Sequence, residues 1–565
     1  MSSRKRVRPI LILVIAALVV TGVLLILLLP GKPKPIVTRY LASDSTGVPF
    51  YYKNEEENRL IRSSDTLKRG TQVVDLEQDY TENGIEYAVI ELDDTSYYIM
   101  RSALVDSLDD VIQETEVYVR TPVTVYENEN GPEIASYAKK GECLQILGFD
   151  QMDQDGSINK YHVSFTDTTG KEVDGWVYGK YIVSTEEEAL QVNTQYYEIH
   201  KDRKYSAMEL YGGEATSLDW YPVEKPVLSS GPCQEKASAM YICIPAVEKI
   251  DDYIALAKKN GVNTLVIDVK DGNLAYPCEE IKEICPTAYA RAYYESAETY
   301  REAVQKCLDA GFYCIGRIVA FKDPYFAWDH PDSAIESSLA SEDWPSAYSR
   351  DCWYYNVILA AAAAKYCGFQ EIQYDYVRFP EEAYSMSKDG EADFKNQYQE
   401  EKAQAIQNFC FYASDMLHEA GVYLSIDVFG ECANAYVTAY GQYFPALSNI
   451  VDAISAMPYP DHYGREEDTW SDPYDIMYGW GRKAYTRQSE IPTPAIARTW
   501  VVAYDVPFWN PTVTCDAAYV EREVQGLTDA GIEDGFITWN VESNYPKYEL
   551  IAPAWSKTYT SIYEK

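Results

Sequence analysis

The 565-residue sequence is poor in histidine and in cations, and its cysteines follow no regular spacing. Its five histidines, His162, His200, His330, His418 and His462, form no HExxH pair and no Cys/His cluster, which excludes the usual zinc hydrolase arrangements. No G-x-S-x-G run presents a serine nucleophile, and no G-x-G-x-x-G or P-loop pattern cradles a nucleotide. Lys and Arg number 49 against 88 Asp and Glu, a formal charge of −39. Nucleic acid needs cations facing its phosphates and is therefore excluded as a main partner, whereas a neutral or cationic substrate fits. Eleven of the twelve cysteines fall after residue 232 with no CxxC pair. They read as small core hydrophobes with one or two bridges, Cys278 and Cys285 being the close pair. No metal or cofactor is expected, so any chemistry rests on carboxylates.

One long apolar run is present. Ile10 to Leu29 is interrupted only by Thr21 and Gly22, follows Arg4, Lys5, Arg6 and Arg8, and meets no small-residue cleavage pattern before "LPGKPKP". At about 1.5 Å per residue such a helix spans roughly 30 Å, a bilayer core. The expectation is an uncleaved signal anchor: residues 1–9 cytoplasmic, 10–29 transmembrane, and the rest extracytoplasmic at the cell membrane.

Residues 37–112 and 113–184 echo each other. "LKRGTQVVDLEQDYTENGIEYAVIELDDTSYYIMRSALV" and "AKKGECLQILGFDQMDQDGSINKYHVSFTDTTGKEVDGWVYGKYIV" both run from a Gly-led strand through a polar turn to an aromatic strand. Both segments resemble bacterial SH3-type domains of cell-surface proteins, the second through "GWVYGKYIV"; the resemblance implies contact with a cell-wall component. Residues 185–236, from "STEEE" to "VEKPVLSSGP", read as a linker and lead-in.

From residue 237 to 557 strand-like runs alternate with helical ones. "AMYICIPA", "VNTLVIDVKD", "YCIGRIVAFKD", "EIQYDYVRFP", "VYLSIDVFG", "DAISAMPYP", "TPAIARTWV" and "DGFITWN" make eight strands, most followed by an amphipathic stretch. That count and alternation predict an α/β fold, a (β/α)8 TIM barrel preceded by two small all-β barrels. In such barrels reactive groups project from the C-terminal strand ends. Reading each strand to its end gives Asp268, Lys270 and Asp271; Arg317 and Lys322; Asp375 and Arg378; Asp427 and Glu431; Tyr459 and His462; Arg498 and Trp500; Trp539 and Asn540. Carboxylates on neighbouring strand ends suit glycoside hydrolysis, one attacking or activating water and the other protonating the leaving oxygen. Asp375 and Asp427 are the best placed, with Glu431 as the other candidate acid. Arg378 and Lys270 are the expected cations beside Asp375, and Tyr459, Trp500 and Trp539 offer flat faces for sugar rings. On the strand "EIQYD", alternation sends Glu371, Gln373 and Asp375 inward and Ile372, Tyr374 and Tyr376 outward.

"GFQEIQYDYVRFP", with "VNTLVIDVKDGNLAY", "GRIVAFKDP", "SIDVFG", "DAISAMPYPDHYG", "PAIARTW" and "GFITWN" in order, resembles the glycoside hydrolase barrels of bacterial surface proteins, distant relatives of α-amylase-type barrels. The resemblance covers about residues 205 to 550 and implies a polysaccharide or oligosaccharide substrate, with Asp375 as nucleophile and the strand-five carboxylate as acid. The chain departs from the amylase pattern at Gln373, where an Arg usually precedes the nucleophile, at Asp427 in place of a Glu, and beside Arg498, which has no carboxylate neighbour. The resulting expectation is a membrane-anchored glycoside hydrolase. The alternative is a non-catalytic, carbohydrate- or wall-binding scaffold with a hydrolase-like barrel.

Overall fold

The computed structural model describes residues 36–192, 194–201, 209–340, 343–463, 471–506 and 513–563. The membrane span expected over residues 10–29 lies outside them, and no helix among the described residues is long and apolar enough to cross a membrane. Two compact units divide the chain. One comprises residues up to Glu114 with Gln151–Ser157, the other Thr115–Asp150 and everything from Ile158 onward.

The first unit contains a seven-stranded antiparallel sheet spanning Val37–Val105, and the second unit begins with another spanning Glu116–Val183. Counted from its own first strand, each sheet has the spatial order 3-2-6-5-4-1-7. The two segments that echo each other in sequence thus share one topology. In the first, Leu41, Val48, Val73, Ala88, Ile90 and Ile99 close the core from alternate strand positions.

The rest of the second unit is a closed barrel of eight parallel strands: β1 (Ala237–Ile242), β2 (Thr264–Asp271), β3 (Tyr313–Val319), β4 (Glu371–Asp375), β5 (Tyr423–Phe429), β6 (Ala453–Met457), β7 (Ile496–Val502) and β8 (Gly535–Trp539). Each pairs in parallel with the next, and β1 pairs with both β2 and β8. Helices return the chain outside: α1 (Ile250–Lys259), α2 (Ala297–Asp309), α3 (Arg350–Cys367), α4 (Lys402–Glu419), α5 (Phe444–Ser448), α6 (Tyr474–Ser489), α7 (Ala517–Ala530) and α8 (Tyr545–Ser556). Local signals set their limits. The Ser349 side chain caps the N-terminus of α3, Gly368 ends it at φ +86°, and Glu401 with Gln404 forms a capping box on α4.

The outer helix of a TIM barrel ordinarily exposes one face, but α4 buries fifteen of its eighteen residues. The second small sheet covers it. Tyr181 donates to Asp415 at 2.7 Å, Lys180 pairs with the same carboxylate at 2.7 Å, Tyr178 bonds Glu419, and Tyr412 donates to the Pro132 carbonyl at 2.7 Å. On α3, Arg350 stacks over Tyr137 with its guanidinium carbon 5.2 Å from the ring centre. All twelve cysteines are free thiols, so the expected bridge between Cys278 and Cys285 is absent; both are buried hydrophobes.

Candidate active site

The barrel interior is polar in three tiers, and β4 contributes one residue to each. At the floor Glu371 accepts from both terminal nitrogens of Arg498, at 2.7 and 3.1 Å, and from Tyr313 at 3.0 Å. The lead-in closes this end, since Arg498 also donates to the Gln234 carbonyl and Tyr423 to that of Gly231. In the middle tier Gln373 donates to Ser455 at 3.1 Å. At the mouth Asp375 accepts from Arg317 at 2.6 Å through one oxygen and from the Tyr376 amide at 2.6 Å through the other.

Arg317 is the centre of the mouth tier. It donates to Asp268 at 2.7 Å, to Asp271 at 3.3 Å and to Asp375, and its Nε lies 3.8 Å from Asp427. Asp271 is exposed, but Asp268, Asp375 and Asp427 are buried around this one guanidinium, and three such charges cannot all be offset by one cation away from water. Burial, then the neighbouring Asp375 charge, pushes the Asp427 carboxyl well above the ordinary range, with Arg317 opposing. Burial raises Asp268 to about 7 against the pull of Arg317. Asp268 also bonds the Tyr241 hydroxyl, and Asp427 accepts from the Trp500 indole at 2.7 Å.

Above this tier opens a cavity of about 1260 Å³. Nine of the residues read from sequence line it: Asp271, Arg317, Asp375 and Arg378; Glu431, Tyr459 and His462; Trp500 and Trp539. Glu431 is held by the hydroxyls of Tyr436 and Tyr440, each at 2.9 Å. His462 stands edge-on to Tyr459, with ring centres 5.5 Å apart. Arg378 stacks on Phe429 at 4.3 Å and bonds Glu381 and the Phe379 carbonyl, so the cation on Asp375 is Arg317 and not Arg378.

Six expected residues lie elsewhere. Asp268 and Asp427 stay beneath the cavity and reach it only through Arg317 and Trp500. Lys270 points away from the barrel axis, because a register shift between Asp268 and Lys270 breaks the alternation; it pairs with Asp323 at 2.6 Å and Asn356 at 3.1 Å. Lys322 lies 5.3 Å over the Tyr376 ring. Arg498 belongs to the floor, since β7 runs on to Val502. Asn540 ties the loop after β8, donating to the Ala503 carbonyl at 2.6 Å and accepting from the amides of Glu542 and Asn544.

Tyr376 departs from the expected outward orientation and lines the cavity. β4 ends at Asp375, and Tyr376 takes φ +54°, in the left-handed region that a tyrosine enters only at a cost of about 1–2 kcal/mol. The turn swings its ring into the mouth and its amide onto the Asp375 carboxylate. Sequence reading also missed Phe429, Tyr504 and the α6 residues on the cavity wall. Phe429 could have been found as the last residue of its strand, but nothing local marks the others.

Comparison with known proteins gives a family and several distant structures. The family model described as "Putative glycosyl hydrolase domain" matches residues 239–545, more than half of the chain. A hypothetical protein from Ruminiclostridium thermocellum is 29% identical over 34% of this chain and 97% of its own, with a TM-score of 0.28. The PgaB (BpsB) glycoside hydrolase domain from Bordetella bronchiseptica is 12% identical over 58% of this chain and 100% of its own, with a TM-score of 0.42. The spore cortex-lytic enzyme SleL from Bacillus megaterium is 11% identical over 65% and 86%, with a TM-score of 0.35. No curated protein matches the chain.

Proposed function

The chain belongs to the glycosyl hydrolase domain family whose model spans residues 239–545, and on that premise we propose that it hydrolyses glycosidic bonds in a cell-wall or extracellular polysaccharide. Asp375 is the nucleophile or water-activating base, and Glu431 is the proton donor. The observation that carries this reading is Asp375 itself: Arg317 and the Tyr376 amide fix both of its oxygens, and the residue opens into an aromatic cavity. Glu431 takes the donor role ahead of Asp427 because it lines the cavity, whereas the Asp427 side chain is fully enclosed. Asp427 then acts through others, holding the Trp500 indole and sharing Arg317.

The anchor over residues 10–29 and wall contact through the small β sheets complete the proposal, placing the hydrolase outside the cell membrane. In the second sheet the Tyr178–Tyr181 corner is occupied by α4, so wall contact there uses another face. The test is incubation of the full chain with peptidoglycan, chitin, chitosan and β-glucan, followed by mass spectrometry of released saccharides. Soluble oligosaccharides are expected from the wild type and not from Asp375→Asn. Binding to a polymer with no product from any of them would overturn the enzyme reading in favour of a scaffold.

A further inference from the structure

The cavity extends past the mouth tier onto the outer layer. Helix α6 sets Asp475, Ile476, Gly479, Trp480 and Lys483 on its wall, and the spacing i, i+1, i+4, i+5, i+8 is one continuous helix face. Two glycines stand in this helix, and their surroundings differ. A Cβ on Gly481 would meet the Ala530 Cβ at 2.6 Å, so close packing against α7 accounts for that glycine. A Cβ on Gly479 would meet nothing among the described residues within 4 Å. Glycine inside a helix is less stable than alanine, and at Gly479 no packing among the described residues offsets the loss. What the missing side chain leaves is open floor on the cavity side.

The groups that share the cavity wall with this helix face suit a sugar ring. Tyr463 is 43% exposed and presents an aromatic face on the cavity wall. Lys483 donates to Asn434 at 2.9 Å, and Asp475 is exposed in the first turn of α6. A flat apolar surface with carboxylate, amide and ammonium groups at its rim matches the apolar face and hydroxyl edge of a pyranose. The whole cavity, about 1260 Å³, also exceeds the roughly 300–1,000 Å³ of sites that enclose one drug-sized ligand.

Resting on the hydrolase reading above, we infer that the Gly479 face of α6 is a distal subsite that binds a further pyranose ring of the polymer, away from the bond cleaved at Asp375. Binding of a remote ring raises the rate only for chains long enough to reach it. The probe is whichever polymer of the panel the full chain cleaves, prepared as a ladder of defined chain lengths. In the wild type kcat/KM is expected to rise about tenfold once the chain reaches α6, the size of one good stacking or hydrogen-bonding contact. Gly479→Trp fills the floor and is expected to bring the ratio of long-chain to short-chain kcat/KM to about one, with Gly479→Ala falling between it and the wild type. Circular dichroism checks folding; if Gly479→Trp does not fold, Tyr463→Ala and Lys483→Ala read the same ratio. A wild type indifferent to chain length, or a folded Gly479→Trp that keeps the full length dependence, overturns the subsite and leaves the hydrolase reading standing. Failure to cleave any polymer overturns both.

Discussion

Strand β4 carries two acids on its interior face, Glu371 at its start and Asp375 at its end, and each meets a buried arginine. At the floor Arg498 and Glu371 are both fully enclosed, and Tyr313 and the lead-in add further hydrogen bonds. At the mouth Arg317 is almost as buried, yet it is shared among four carboxylates, and Asp375 faces a cavity. The chemistry of the pairs is the same. What separates a structural ion pair from a candidate reactive one is the number of acids competing for the guanidinium and the access of one of them to a ligand.

Substitutions can sharpen that contrast. The largest effect is expected for Asp375→Asn, a loss of about 10³-fold or more in kcat with the melting midpoint little changed, read by product release and circular dichroism. At the floor the pattern inverts. Glu371→Ala leaves Arg498 buried and without its acid, and should cost about 3–5 kcal/mol in urea unfolding while activity per folded molecule stays near wild type.

The shared site should also make stability depend on pH. The Asp268 carboxyl is raised from 3.8 to about 7, so the folded state binds its proton more tightly than the unfolded chain does. Its contribution is complete below about pH 4 and is lost as pH rises through 7. Between pH 5 and 8 the loss should be about 2–3 kcal/mol in urea titrations. Asp268→Asn removes that part of the slope, leaving what Asp427 and Glu523, both raised by burial, contribute in the same direction. The smallest effect is Gly479→Ala, which should stabilise α6 by up to about 1 kcal/mol because nothing among the described residues opposes the added methyl; thermal melts check it.

Much of the architecture was legible locally. Alternating β-branched and amphipathic runs define the barrel, and strand-end acids mark its mouth, so nine of the candidate residues do line one cavity. The misplacements have specific causes. Arg498 looked like a mouth residue because the length of β7 beyond it was not apparent, and Lys270 because one register shift reverses which side chain points inward. Tyr376 follows a strict alternation only until the chain turns into φ +54°. The cover on α4 has a local signal in the sequence: "AIQNFCFYASDML" is apolar on more than one face, as expected of a helix packed on two sides.

The sequence alone determined the eightfold alternation, the duplicated small sheets and the supply of acids, because periodicity and composition are properties of neighbouring residues. Only the tertiary structure decided which acids share Arg317, which of them meets solvent, and that a face of α6 belongs to the cavity. Those outcomes depend on distances between residues far apart in the chain, and a strand register or a turn of one residue changes them without altering the local pattern.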